Sequence, residues 1–130
     1  MATIRKEIPI DAAPEDVWAA MRDYGAVHQK LAPGFVVDCK LEEGARVVTF
    51  ANGMVARELL LDNDDETRRL AWCVIGGQLT HYSASAQVFA DGDRAKVVWI
   101  ADLLPNEMKG AISGMIDQGA MAMQKALARN

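Results

Sequence analysis

Apolar and polar residues alternate along most of the chain between Phe35 and Leu104, and only its two ends depart from that period of two. At the start, Ile4, Ile8 and Ile10 share one parity and Thr3, Arg5 and Glu7 the other, which predicts a half-buried strand over Thr3 to Ile10. Asp11-Ala12-Ala13-Pro14 breaks it, and Pro14-Glu15-Asp16 sets a proline and two acids in the first turn of a short helix carrying Val17, Trp18 and Met21. A weaker helical segment follows from Tyr24 to Leu31, ended by Pro33-Gly34.

Beyond it, Phe35, Val37, Cys39 and Leu41 form one face of a strand and Val36, Asp38, Lys40 and Glu42 the other; the first set is predicted to point inward. Gly44 turns the chain, and Asn52-Gly53 predicts a tight hairpin with Ala51 opposite Met54, Thr49 opposite Ala56 and Val47 opposite Glu58. A strand over Arg68 to Ile75 carries Trp72 and Val74 and ends at the Gly76-Gly77 bend. In the next, Thr80, Tyr82, Ala84, Ala86 and Val88 fall on the inward parity and His81, Ser83, Ser85 and Gln87 on the outward one. Asp91-Gly92 then predicts a second tight hairpin, with Ala86 opposite Val97, Ala84 opposite Trp99 and Tyr82 opposite Ala101.

From Asn106 onward the period changes to that of a helix. Ile112, Met115, Ile116, Gly119, Met123 and Leu127 recur at three- and four-residue intervals on one stripe, with Asn106 and Glu107 at the expected helix start. Gly110, Gly114 and Gly119 each cost about 1 kcal/mol relative to alanine inside a helix, so they call for close approach or empty space nearby. The methionines are core filler on one reading and a cavity wall on another. The element order is strand, two short helices, six strands and one long helix. That describes an α+β fold with a curved antiparallel sheet wrapped round a C-terminal helix.

At 130 residues the chain is read as a single domain, 1–130. Its net charge of -4 disfavours nucleic acid and anionic membrane surfaces as partners. Arg5, Lys6 and Glu7 at the very start and the lack of a long apolar run predict a cytoplasmic protein without a membrane anchor. Cys39 and Cys73 lack metal or redox spacing and are read as free thiols, with no metal and no cofactor expected.

Several stretches taken together resemble the START-like helix-grip superfamily, in particular its polyketide cyclase/dehydrase and lipid-transport group, which is distantly similar to plant abscisic-acid receptors. They are Ala13-Pro14-Glu15-Asp16-Val17-Trp18, Arg57-Glu58-Leu59-Leu60-Leu61-Asp62, Arg68-Arg69-Leu70 leading to Val74-Ile75-Gly76-Gly77, Tyr82, and Gln124-Lys125-Ala126-Leu127-Ala128. The resemblance implies a seven-stranded sheet gripping the last helix round a cavity for a small apolar ligand, lipid-, polyketide- or hormone-like. In the receptor branch, positions that look like Trp72, Val74, Tyr82 and Ala84 line the pocket. The lysine that branch uses for a ligand carboxylate looks replaced by Val37, and its gating loop is reduced to Ala51-Asn52-Gly53-Met54, so the resemblance does not extend to abscisic-acid sensing.

The strand parities independently assign Phe35, Val37, Thr49, Ala56 and Glu58 to the concave face, together with Trp72, Val74, Tyr82, Ala84, Val97 and Trp99. Met115, Gly119, Ala122 and Met123 face them from the helix. Glu58 is the one inward carboxylate. It is either solvated at a rim or, if deep, a candidate general acid or base, with Tyr82 as a hydrogen-bond donor to a ligand carbonyl. Two functions therefore stand side by side: binding of a small hydrophobic molecule without turnover, and a cyclase or dehydratase using Glu58 and Tyr82. A third, self-association through the outer sheet face, draws on Ile75, Val98 and Ile100, so either a monomer or a homodimer is compatible with the sequence.

Overall fold

The computed structural model describes residues 1–129. Strand β1 (Ala2–Ile10) leads into helix α1 (Pro14–Arg22), then a 3-10 turn (Tyr24–Ala26) and a π-helical turn (Val27–Leu31). Six strands follow: β2 (Val36–Glu42), β3 (Ala45–Phe50), β4 (Val55–Asp64), β5 (Arg69–Ile75), β6 (His81–Asp91) and β7 (Arg94–Leu104). A 3-10 turn (Asn106–Met108) then precedes helix α2 (Lys109–Leu127). The strands make one seven-stranded sheet in the order β1-β7-β6-β5-β4-β3-β2, with every neighbouring pair antiparallel. The helix-grip α+β architecture expected from the sequence is the one observed. Among the described residues no helix is long and apolar enough to cross a membrane.

The predicted helix start shifts by three residues. Asn106 makes no side-chain cap, and α2 begins only after the 3-10 turn. Helix α2 lies across the concave face and is tied to β1 by Gln124 Nε2 donating to the Pro9 carbonyl (2.9 Å) and by Lys6 to Asp117 (2.6 Å). Of its glycines, only Gly119 is buried. A Cβ at Gly110 or Gly114 would meet nothing within 4 Å. Gly110→Ala and Gly114→Ala should therefore each raise stability by about 1 kcal/mol through helix propensity alone, read as a higher urea midpoint at unchanged m-value.

Helix α1 buries Val17, Trp18 and Met21 against the sheet, and its far end is fixed to the β4–β5 turn. There Trp18 Nε1 donates to Asp65 Oδ1 at 2.9 Å, Arg22 Nε donates to the same oxygen at 2.9 Å, and Asn63 Nδ2 donates to the Arg22 carbonyl at 3.1 Å. The Trp18 bond, with Arg22 beside it, holds the Asp65 carboxyl below its ordinary pKa.

Both predicted hairpins form, and both do so in a different register. At β3–β4 the turn is a three-residue loop, not a two-residue one: Phe50 N donates to the Met54 carbonyl, and Gly53, at φ 89°, occupies the left-handed position of that loop. The pairing becomes Thr49 with Val55, Val48 with Ala56 and Arg46 with Glu58. This one-residue slip turns β3 over, so Arg46, Val48 and Phe50 face inward while Val47 and Thr49 do not. At β6–β7 the turn residues are Gly92 and Asp93, which slides the pairing by two: Tyr82 opposes Leu103, Ala84 opposes Ala101 and Ala86 opposes Trp99. An even slip preserves the faces, so the inward assignments on β6 and β7 stand. In β2 a bulge between Val36 and Asp38 switches parity: Val36 is buried and Val37 is 53% exposed. On the outer face, Val98 is buried and Ile100 half-buried, and the Ile75 side chain lies outside the described residues.

Candidate functional site: a cavity between sheet and helix

The sheet curves away from α2 far enough to leave a partly open cavity of about 90 Å³. Its helix wall is Ile112, Met115, Ile116, Gly119 and Met123, the inward stripe of α2. The sheet contributes Arg46 and Val48 from β3, Glu58 from β4, Leu70 and Trp72 from β5, Tyr82 and Ala86 from β6, and Trp99 from β7. Val27, Leu31, Phe35 and Val36 close the end beneath α1. Small residues make the space: Ala86 sits opposite Trp99, and Gly119 lets the Trp99 ring approach the helix backbone. Trp72 and Trp99 meet at 6.2 Å between ring centroids with their planes tilted by 58°.

A second, open space of about 340 Å³ adjoins the cavity and shares Phe50, Glu58, Tyr82, Ile112 and Met115 with it. It runs out past Ala56, Val74, Met108 and the Gly76-Gly77-Gln78-Leu79 loop and forms a mouth. A separate outer groove near Pro33, Ala51, Met121 and Lys125 is divided from the cavity by Phe35 and Phe50, whose rings pack 5.2 Å apart and line both spaces.

The charged groups of the cavity wall are gathered at one place. Glu58 is 7% exposed and Arg46 5%, and Arg46 Nε donates to Glu58 Oε1 at 2.7 Å. The same guanidinium donates through Nη1 to the Tyr24 carbonyl at 3.2 Å and stacks 3.9 Å from the centroid of the Tyr24 ring. Tyr24 in turn donates its hydroxyl to the Glu58 carbonyl at 3.0 Å, closing the network. Burial pushes the Tyr24 hydroxyl well above its ordinary pKa, with Arg46 pulling against that shift. Glu58 is therefore neither a solvated rim residue nor a lone buried acid, but half of a buried ion pair.

Tyr82 and Trp99 supply the remaining polar atoms. Burial, reinforced by the negative charge of Glu58, raises the Tyr82 hydroxyl far above its ordinary pKa, while the Trp99 indole N–H opposes that rise. Trp99 Nε1 is fully buried and makes no hydrogen bond of ordinary geometry. An orphan donor of this kind costs about 1–3 kcal/mol.

Most residues that the sequence assigned to the site do come together. Phe35, Glu58, Trp72, Tyr82, Trp99, Met115, Gly119 and Met123 line the cavity, and Ala56 and Val74 line its mouth. Ala84 and Val97 are buried in the core but do not border the space, and Ala122 faces the outer groove. Val37 and Thr49 are corrections: the β2 bulge and the one-residue slip of β3 take them off the cavity wall. Sequence reasoning missed Arg46 and Val48 for the same reason. It also passed over Leu70, which extending the Trp72 parity by one step identifies, and it set Ala86 on the inward parity without assigning it to the site.

A curved antiparallel sheet closed on a long helix, with an apolar chamber between them, defines a helix-grip protein. The chain belongs to the polyketide cyclase/dehydrase and lipid transport family, whose model matches residues 1–129. Solved structures share the fold over nearly the whole chain. The protein XoxI from Bacillus cereus is 22% identical with a TM-score of 0.86, covering 98% of this chain and 96% of its own. A START superfamily protein from Mycobacterium smegmatis is 12% identical with a TM-score of 0.78, covering 96% of each chain. The di-domain ARO/CYC BexL from the BE-7585A biosynthetic pathway is 16% identical with a TM-score of 0.82, over 97% of this chain and 46% of that one. No curated protein matches the chain.

Proposed function

We propose that this protein binds a small hydrophobic molecule, lipid-, polyketide- or hormone-like, in the cavity between its sheet and α2, without transforming it. The observation that carries this reading is the apolar chamber and the adjoining space that shares part of its wall. The chamber alone, about 90 Å³, is smaller than the roughly 300–1,000 Å³ of typical ligand sites, but chamber and mouth together fall within that range. A ligand would seat its apolar end among Leu70, Trp72, Trp99 and Ile116 and extend past Met115 towards Leu79. The cyclase or dehydratase alternative requires Glu58 to exchange protons with a ligand. The Arg46 guanidinium already occupies one of its oxygens, which speaks against that role.

The neutral fluorophore N-phenyl-1-naphthylamine provides the test. Saturable one-to-one binding with a blue-shifted emission is expected, and it should be competed by other apolar molecules of similar size. Absence of saturable binding would overturn the proposal.

A further inference from the structure

The binding reading leaves open what polar group a ligand would carry, and the Arg46–Glu58 pair bears on this. Resting on that reading, we infer that the ligand is a neutral molecule bearing a hydroxyl group, an alcohol or phenol, which donates its proton to the second carboxylate oxygen of Glu58 where chamber and mouth meet. Glu58 lines both spaces, and 10% of its side chain remains exposed. Its Oε1 takes the bond from Arg46 Nε, while Oε2 accepts no hydrogen bond from the described residues. Among those residues, the fully buried side-chain polar atoms without a partner are His28 Nδ1 and Trp99 Nε1. Glu58 Oε2 is not one of them, so it keeps a surface on the spaces that its residue lines. An ionised carboxylate is an acceptor only. A ligand that fills the junction without offering a donor strips that oxygen of hydration and returns nothing.

The neighbouring groups narrow the class. Arg46 spends Nε on Glu58 and Nη1 on the Tyr24 carbonyl. Neither its Nη2 nor the Tyr82 hydroxyl, both on the cavity wall, makes a hydrogen bond of ordinary geometry, and neither is fully buried. A hydroxyl answers both sides of this wall, donating to Glu58 and accepting from one of those donors. A ketone meets the donors alone and turns a lone pair towards the carboxylate. Ionised ligands fare worse, because Arg46 and Glu58 neutralise each other and leave no spare counter-charge in a site of low dielectric.

Indane, 1-indanol, 1-indanone and the cation of 1-aminoindane share one skeleton and differ in this feature, so they form the probe set. The full chain is titrated by calorimetry, and a 13C- and 15N-labelled sample is followed through the Glu58 carboxyl resonance, assigned through bonds from its backbone. An entirely apolar site would prefer indane, because burying an unbonded hydroxyl is unfavourable. The expected result is the reverse: 1-indanol binds about tenfold more tightly than indane, and more tightly than 1-indanone or 1-aminoindane. The Glu58 carboxyl resonance moves with 1-indanol and not with indane. The double variant Arg46→Met/Glu58→Leu still binds indane but loses the preference for the alcohol. Should that variant fail to fold, the ranking of the four probes and the resonance shift in the unaltered protein decide the matter. Indane, 1-indanone or 1-aminoindane binding as tightly as 1-indanol, a carboxyl resonance unmoved by the alcohol, or a preference kept by the double variant would overturn this inference while leaving the binding reading intact. Failure of all four probes to bind would overturn it as well, and failure of N-phenyl-1-naphthylamine with them would overturn both.

Discussion

Glu58→Leu should cost about 3–5 kcal/mol of stability, and Arg46→Met a similar amount, whereas the double variant should recover most of the loss. The asymmetry follows from burial. Both side chains are almost wholly shielded, so removing one leaves the other charge in a low-dielectric wall with nothing to answer it. Replacing both with apolar groups of similar volume removes charge and desolvation penalty together. The exposed pairs, such as Lys6 with Asp117, contribute at most about 1 kcal/mol each, so the contrast between sites is large. Urea unfolding of the two single variants and the double variant completes the cycle. Losses below about 1 kcal/mol in both singles, summing additively in the double, would show that the two charges are not coupled in the wall.

Gly119→Leu should abolish binding of apolar probes and lower stability by about 1–3 kcal/mol, while Gly114→Leu on the same helix leaves both essentially unchanged or slightly improved. A Cβ at Gly119 would lie 3.1 Å from Phe35 Cε2 and 3.1 Å from two atoms of the Trp99 ring, closer than ordinary contact. The remaining atoms of a leucine have only the chamber to enter. Gly114 is exposed, with no atom within 4 Å of the same probe position. The pair thus separates filling of the cavity from the general effect of replacing a helix glycine. Probe titrations and urea midpoints on the two variants give the comparison. Undiminished probe binding by Gly119→Leu would place the ligand elsewhere.

The fold was legible because its signals were redundant. Strand parity, turn residues and the helical stripe of Ile112, Met115, Gly119 and Met123 all point to one sheet closed on one helix, and a local error in any of them leaves that outcome unchanged. The site was less forgiving. Asn52-Gly53 marks the β3–β4 turn correctly, but it is compatible with a two-residue loop and with a three-residue loop whose glycine is left-handed, and only the second brings Arg46 to Glu58. The choice depends on which face of β3 packs better. Thr49 and Val47 are as plausible inside as Val48 and Phe50 when the strand is read alone. The bulge at Val37 is likewise a tertiary event, since the run Phe35-Val36-Val37 is apolar on both parities. The β6–β7 pairing, in error by two residues, cost nothing in facing. The depth of Glu58 could not be read either, because it depends on Arg46, a residue the two-residue turn had sent outward.

That same bulge has a consequence away from the cavity. Strand β2 ends the sheet, and its free edge, where Val37 is 53% exposed, is of the kind on which neighbouring molecules can stack strand to strand. The irregularity between Val36 and Asp38 interrupts the ladder at that border, and Asp38, Lys40 and Glu42 line the rest of it with charge. The opposite border, β1, carries Arg5, Lys6, Glu7 and Pro9. The kink that takes Val37 off the cavity wall thus also breaks the regular edge that a further strand would need for pairing.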